Sequence, residues 1–258
     1  MPQEQLYFDF FKQEDKISQT PPPYERLRAR VHPTDISTFM DRFLPEYREE
    51  ILNGSLGVDP FGLPRLEAVH DVTPEKLIPF HAVMSLDMTK VSAFDFFHFF
   101  LHDYQFERMW KNPEKYLPFL LKIGQGIGPD FSMYLNMHPM EQMLNWSRNT
   151  LLTFYLQKNG LTVIPNACFG SEKTLDWAFA PLPEHSILAL STQSCLRDNV
   201  AKRNLLNGIH ELDRQKHPER LYINGKFPEK WMDKFDVEIC VLPTFSSKWE
   251  RRKPSTPL

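Results

Sequence analysis

Acidic, hydroxyl and amide side chains follow the short apolar runs of this sequence, at positions where they could exchange protons or bind a ligand. The set comprises Asp130 and Ser132 after Gly124–Gly128, Asn166 after Leu161–Ile164, Thr192 after Ile187–Ser191, and Asn224 at the end of Leu221–Asn224. A carboxylate beside a hydroxyl can act as a general base, bind a metal ion or accept hydrogen bonds from a ligand. Asp130 is therefore the first candidate for a catalytic residue. The competing interpretation is a turn cap, because Asp often accepts hydrogen bonds from backbone amides two residues on.

A second candidate cluster surrounds Asp103. Asp103 and Glu107 lie four residues apart and would share a face of a helix running from about Gln105, with His102 nearby. Such a cluster of carboxylates and imidazole can do acid–base chemistry. The alternative is that Asp103 caps the helix and that Glu107 is favoured in its first turn by the helix dipole.

Motifs for other chemistries are absent from the sequence. Gly124-x-Gly126-x-Gly128 lies inside a predicted strand and does not open a helix, so it is not a dinucleotide-binding loop. His210-Glu211 lacks the second histidine of a His-Glu-x-x-His zinc helix, and His98 and His102 lack a third ligand nearby. The sequence therefore predicts no metal site, supports no nucleophilic catalysis and leaves any cofactor unknown.

Short apolar runs alternate with amphipathic segments from about Leu77 onward, which is typical of repeated βαβ units. The predicted strands are Phe80–Ser85, Phe94–Leu101, Gly124–Gly128, Leu161–Ile164, Ile187–Ser191, Leu221–Asn224 and Val237–Leu242. The predicted helices are Met140–Lys158 with Met143, Leu144, Leu151, Leu152 and Tyr155 on one face, Val200–Lys216 with Leu205, Leu206, Ile209 and Leu212, and Ser171–Ala180 with Ser171 as a possible cap.

These elements predict an α/β fold, a shortened or incomplete TIM-like barrel, because the strand-bearing region is shorter than a full barrel needs. An open doubly wound sheet is the alternative. Both folds place ligands at the carboxyl ends of the parallel strands. Asp130, Ser132, Asn166, Thr192 and Asn224 are therefore expected to share one rim, with Asp103 contributing from the preceding strand exit.

The sequence divides into three parts. Residues 1–60 are predicted to form an arm, a Pro-rich linker and a helix at Ile36–Leu52, residues 61–245 the α/β core, and residues 246–258 a flexible basic tail. In the arm, Gln5-Leu6-Tyr7-Phe8 loosely resembles a sliding-clamp-binding peptide, which makes Leu6 and Phe8 candidate partner contacts with the replication machinery. The alternative is that Leu6, Phe8 and Phe10 or Phe11 pack the arm onto the core or add an edge strand to it. The basic tail could contact nucleic-acid phosphates.

Composition excludes several classes of protein. Of the 258 residues 41% are hydrophobic and 24% charged, which argues against global disorder. The formal net charge of −3 argues against nucleic-acid binding driven by bulk charge. Three dispersed cysteines indicate a reducing, cytoplasmic compartment, and neither a leader nor a membrane-spanning run is recognisable.

Several stretches together resemble a known family, the domain-of-unknown-function family 4417 of Gram-positive bacteria, phages and mobile elements. The similarity runs from about Phe61 to Gly225, and its motifs occur in the family's order and spacing. They are His98 to Pro113, Pro129-Asp130-Phe131-Ser132-Met-Tyr134, Gly160-Leu-Thr-Val-Ile-Pro165-Asn, Pro183-x-x-Ser186 and Ser191-Thr192. The resemblance implies a role in phage or mobile-element biology and no particular activity.

Two hypotheses follow for the function. The first is an enzyme or ligand-binding protein whose pocket lies at the strand ends. The second is a non-enzymatic accessory protein of replication or mobile elements, which binds protein or nucleic acid through its aromatic arm and its basic segments.

Overall fold

The computed structural model describes residues 59, 61–87, 89 and 91–242. The arm with Leu6 and Phe8, the Pro-rich linker, the helix at Ile36–Leu52 and the basic tail lie outside the described residues. The domain boundaries drawn from the sequence therefore stay predictions. Within the described residues, no helix is long and apolar enough to cross a membrane.

Parallel strands and helices alternate along the described chain, as the βαβ pattern predicts. In chain order the elements are β1 Lys76–Pro79, α1 Phe80–Val83, β2 Asp95–His98, α2 Asp103–Lys111, α3 Pro113–Leu121, β3 Gln125–Ile127, α4 Pro139–Lys158, β4 Thr162–Ile164, a 3-10 turn at Glu172–Thr174, β5 Ile187–Ser191, α5 Asn199–Lys216, β6 Arg220–Asn224, a 3-10 helix at Glu229–Lys234 and β7 Glu238–Val241.

The strands form two parallel sheets with sequential order, β1-β2-β3-β4 and β5-β6-β7. A single parallel bridge between Asn166 and Ala189 connects the end of the first sheet to β5. Sequential parallel order is that of a barrel, whereas a doubly wound sheet reverses its order at a switch point. Among the described strands β7 does not pair with β1, so the described residues form no closed barrel, which is consistent with an incomplete barrel or an open sheet.

One side of the sheets faces an apolar core that runs through both of them. Its members alternate along the strands, as side chains on one face of a sheet must. They are Leu77, Phe96, Ile127, Ile164, Ile187, Ala189 and Tyr222, joined by Val69, Phe100 and Leu242. We call this side the inner face. The outer face packs closely too, since a Cβ on Gly126 would lie 2.3 Å from the Phe97 ring.

The strand predicted at Phe80–Ser85 is wrong. The strand ends at Pro79, and residues 80–83 form the short helix α1, in which Phe80 and Val83 are buried while His81 is exposed. Burial at a spacing of three fits a helical turn and not a strand. The strand predicted at Ile187–Ser191 is present with the same ends, and the other predicted strands are present with shorter or shifted ends; β2, for example, stops at His98 and not at Leu101.

The helix predicted at Ser171–Ala180 is reduced to the 3-10 turn Glu172–Thr174, followed by further turns. Ser171 occupies the N-cap position but makes no capping hydrogen bond with its side chain. The Thr174 hydroxyl donates to the Ser171 carbonyl and accepts from Gly170 N–H. Local side-chain bonds of this kind compete with regular helical hydrogen bonding.

Candidate functional site

The Asp130 side chain lies half-buried in the loop after β3, next to the loop after β4. Its Oδ1 accepts a hydrogen bond of 2.8 Å from Asn166 Nδ2, which also donates to the Pro129 carbonyl at 3.2 Å. Two residues that the sequence analysis placed on one rim are therefore in direct contact across neighbouring strand ends.

Asp103, at the start of α2, contacts the same loop from the other side. Its carboxylate accepts three hydrogen bonds from Ser132, two from the backbone N–H at 3.2 and 3.3 Å and one from the hydroxyl at 2.9 Å. Ser132 is thus a hydrogen-bond partner of Asp103 and not of Asp130. The strand exits of β2, β3 and β4 consequently meet around residues 130–132.

Both capping interpretations of these carboxylates are wrong. The amide two residues after Asp130 belongs to Ser132, and it donates to Asp103. Asp103 is the first residue within α2, where His102 holds the N-cap position and its N–H donates to the Gln105 side chain. Both carboxylates are instead engaged by groups from other elements.

Helix α4 holds the loop after β3 through polar side chains that are buried. Asn149 Oδ1 accepts from Phe131 N–H at 2.8 Å, and its Nδ2 donates to the Phe131 carbonyl at 3.1 Å. Asn145 Nδ2 donates to the Ser132 carbonyl at 2.8 Å and Gln142 Nε2 to the Tyr134 carbonyl at 2.7 Å. Residues 142, 145 and 149 share one helical face, so α4 clamps the carbonyls of residues 131, 132 and 134 and the N–H of residue 131.

This clamp corrects the predicted buried face of α4. Leu151 and Leu152 are buried as predicted, whereas Met143, Leu144 and Tyr155 are only partly buried. The residues predicted from the sequence did not include Gln142, Asn145 and Asn149, although their spacing of three and four residues within one helix was an available signal.

Arg148 is a buried cation beneath the site. It forms a salt bridge with Glu107, and its Nη1 donates to Asn145 Oδ1 at 3.2 Å. Its guanidinium lies 3.6 Å from the centre of the Phe131 ring and 5.0 Å from that of Trp110. Glu107 therefore neutralises Arg148, and it lies beyond the first turn of α2, where the helix dipole was predicted to favour it. The contact of Arg148 with the Phe131 ring holds the chain in place beside Asp130.

The electrostatic environment favours the protonated form of Asp130. Burial raises the pKa of Asp130 to about 6, the Asn166 hydrogen bond opposes that shift, and the negative charge of Asp103 adds to it. Burial also raises the pKa of Asp103, against the opposing effects of the Ser132 hydrogen bonds and the positive charge of Arg148. Two neighbouring carboxyl groups with different partners are a common arrangement for acid–base chemistry.

Two thiols and a phenol complete the surroundings of Asp130. Burial and the charge of Asp130 raise the pKa of Cys168 well above its ordinary value and that of Cys195 to about 11. Burial raises the pKa of Tyr134, while its contact with Ser132 and the charge of Arg197 oppose the shift. Neither thiol is activated as a nucleophile, since nucleophilic cysteines need a lowered pKa.

Thr192 and Asn224 are both buried at the neighbouring ends of β5 and β6. The Thr192 hydroxyl donates to the Lys226 carbonyl at 2.9 Å and lies 3.3 Å from the Asn224 carbonyl, which accepts from Thr192 N–H. The Thr192 hydroxyl, which was predicted to bind a ligand, therefore connects the loops after β5 and β6. Asn224 Nδ2 is buried without a hydrogen-bond partner among the described residues.

Two further observations limit the chemistry that this region can perform. The described residues contain no group of three or more His, Cys, Asp or Glu side chains placed to hold a metal ion. A cavity with room for about one water molecule lies between α4 and the loop after β4, with Asn149, Thr153, Asn166 and Cys168 among its lining residues.

Comparisons with known proteins give a family and two phage relatives. A family model described as "Domain of unknown function (DUF4417)" matches residues 57–242. The "Gene 1 protein" of Mycobacterium phage L5 is 33% identical over 157 residues, which make up 60% of this chain and 66% of that protein. The "Gene 1 protein" of Mycobacterium phage D29 is 32% identical over 157 residues, 60% of this chain and 56% of that protein. The match thus spans less than two thirds of either relative, and no solved structure matches the chain.

Proposed function

We propose that this chain, which belongs to the family described as Domain of unknown function (DUF4417), acts through a polar site at the carboxyl ends of its parallel strands. In this proposal Asp130 exchanges a proton with a bound ligand or substrate, and Asp103 holds the loop that carries Asp130. The role belongs to phage or mobile-element biology, as the two mycobacteriophage relatives suggest.

One observation carries the proposal. Asp130 is a half-buried carboxyl with a pKa of about 6, held at the meeting point of the loops after β3 and β4 by Asn166. A carboxyl with a pKa close to neutral can both give and take a proton at physiological pH, which is what a general acid–base requires. An ordinary surface aspartate, with a pKa near 4, is almost fully ionised there.

The rigidity of the surrounding loop supports the same assignment. The backbone on the C-terminal side of Asp130 is fixed by Asn149, Asn145 and Asp103, all through hydrogen bonds of 3.3 Å or less. Sites that bind or transform a ligand are generally held in position by such supporting contacts before the ligand arrives.

The cytoplasmic location is part of this proposal. Cys168, Cys195 and Cys240 are all free thiols, which suits a reducing compartment. The alternative of an accessory protein acting through Leu6, Phe8 and the basic tail stays a prediction from the sequence, because those residues lie outside the described part of the chain.

The test is to identify what the purified protein retains. Native mass spectrometry followed by small-molecule analysis is applied to the full chain, to Asp130→Asn and to Asp176→Asn, a matched change at an exposed aspartate. We expect a small molecule on the wild-type chain and on Asp176→Asn that is lost from Asp130→Asn, while all three unfold at similar temperatures. Equal retention by all three proteins, or a loss explained by unfolding of Asp130→Asn, contradicts the proposal.

A further inference from the structure

Three even-numbered strands carry a polar side chain at their carboxyl ends. They are His98 at the end of β2, Asn166 just after β4 and Asn224 at the end of β6. His98 follows Phe96 by two residues, Asn166 follows Ile164 and Asn224 follows Tyr222, and those three apolar residues belong to the core on the inner face. The alternation of a strand therefore turns all three polar side chains to the inner face.

Pairing between strands supports this placement. Asn166 is bridged to Ala189, which belongs to the same core, and Asn224 is paired with Ser191 two residues beyond Ala189. In barrels of parallel strands, interior side chains form layers to which alternate strands contribute. His98, Asn166 and Asn224 are the even-strand contribution to such a layer at the carboxyl end, and we call them the polar layer.

Each member of the polar layer is more than nine-tenths buried and keeps one unpartnered polar atom. The exposed fractions are 4% for His98, 8% for Asn166 and 7% for Asn224. His98 Nε2, Asn166 Oδ1 and Asn224 Nδ2 make no hydrogen bond to any described residue. Buried polar groups in folded proteins are nearly always paired, so three unpaired atoms in one layer point to a ligand.

The hydrogen-bonding character of two of these atoms follows from their neighbours. Phe100 N–H donates to His98 Nδ1 at 3.2 Å, so the neutral ring carries its proton on Nε2 and offers a donor. Burial lowers the pKa of His98 to about 3, which keeps that ring neutral. Asn166 Nδ2 is turned to the Pro129 carbonyl, an obligatory acceptor, so Asn166 Oδ1 offers an acceptor. Asn224 offers its Nδ2 as a second donor.

We propose that the polar layer binds an uncharged carboxamide-type group, whose carbonyl oxygen accepts from His98 and Asn224 and whose N–H donates to Asn166. The three side chains are neutral and provide no countercharge for an ion. Two donors and one acceptor match the two lone pairs and the N–H of one amide. This assignment rests on the proposed function, because Asn166 connects the polar layer to Asp130. The assignment adds His98 to the site and names the class of ligand.

The test uses acetamide as the probe and follows the side-chain resonances of His98 and Asn224 by NMR in the full chain. We expect saturable shifts with acetamide. We expect none with acetate, which is charged, or with N,N-dimethylacetamide, which lacks the N–H. His98→Phe should weaken acetamide binding about tenfold, the loss of one buried hydrogen bond. His210→Phe, at an exposed histidine of α5, should leave it unchanged.

Failure of this inference is distinguishable from failure of the proposed function. Binding of acetate or N,N-dimethylacetamide as strong as that of acetamide, no saturable shift with acetamide, or unaltered acetamide binding by His98→Phe overturns the amide assignment. The pKa of Asp130, read in the same samples, tests the proposed function independently. An Asp130 pKa near 6 without acetamide binding retains the proposed function and removes the polar layer as its ligand site.

Discussion

At the scale of single residues, the site depends on how one carboxyl group influences another. Asp103 is stabilised as an anion by Ser132 and by the charge of Arg148, while Asp130 has a neutral amide partner and feels the charge of Asp103. The pKa of Asp130 is therefore raised by burial first and by its neighbour second. Arg148 acts on Asp130 through Asp103, which makes it a positioning residue and not a catalytic one.

Replacing Arg148 should consequently lower the pKa of Asp130. Loss of the cation raises the pKa of Asp103, so Asp103 is protonated over a wider range of pH and repels a charge on Asp130 less. A direct effect of the lost cation would shift the pKa of Asp130 upward, so the sign separates the two routes. The measurement is a carbon-13 NMR titration of the Asp130 carboxyl in Arg148→Met, with Arg148→Lys as the control that keeps the charge.

Arg148→Lys should leave the Asp130 pKa close to that of the wild-type chain. An unchanged or higher Asp130 pKa in folded Arg148→Met would contradict the coupling. Because Arg148 is buried against Glu107 and two aromatic rings, both variants are to be checked for a native spectrum before the titration.

At the scale of elements, α4 is the part that positions the site. Asn149 pairs with both the N–H and the carbonyl of Phe131, which connects α4 to the loop after β3 by two hydrogen bonds. Asn149→Leu leaves the buried Phe131 N–H without a partner, whereas the Phe131 carbonyl keeps the Cys168 thiol as a donor at 3.6 Å. Leaving a buried polar group unsatisfied costs about 1 to 3 kcal/mol.

Asn149→Leu should therefore lower the free energy of unfolding by about 1 to 3 kcal/mol, the cost of leaving the Phe131 N–H unsatisfied. Urea denaturation measures this, and hydrogen exchange should show loss of protection at the Phe131 amide. Asn207→Leu, an exposed asparagine of α5, should change the free energy of unfolding by less than about 0.5 kcal/mol. A small effect of Asn149→Leu with retained protection at Phe131 would contradict the clamp.

Some of these elements could be predicted from the sequence alone, and others could not. The strands at Gly124–Gly128, Leu161–Ile164 and Ile187–Ser191 were predictable, because apolar runs that end in polar residues mark buried strands. The polar clamp of α4 was not, because Gln142, Asn145 and Asn149 are buried only through a loop that comes earlier in the chain. Asp130 was predictable as a candidate, whereas its partner Asn166 could be placed beside it only by assuming the parallel order of the strands.

At the scale of the whole molecule, the parallel α/β fold brings the strand exits of β2, β3 and β4 together and buries a neutral histidine. His98 has a pKa of about 3 in the folded chain, against about 6.5 in an unfolded one. Between these values the unfolded chain binds a proton that the folded chain does not. The contribution of His98 to stability is thus fully present above pH 6.5 and is lost as the pH falls toward 3.

His98→Phe should remove this part of the pH dependence. Relative to the variant, the wild-type chain should lose up to about 4 kcal/mol of its free energy of unfolding between pH 6.5 and pH 3. The comparison requires urea denaturation of both chains at several pH values. The comparison concerns only how the free energy of unfolding changes with pH, since the substitution itself shifts the absolute value of that free energy. Parallel stability curves for the two proteins would contradict the burial of a neutral His98.

In the proposed function, Asp130 is a proton-exchanging carboxyl at the meeting point of the strand-exit loops. The most direct measurement is the carbon-13 NMR titration of its side-chain carboxyl in the wild-type full chain, with the signal assigned by its absence in Asp130→Asn. We predict a pKa of about 6. A pKa at or below about 4, the value of an ordinary exposed aspartate, would contradict the claim.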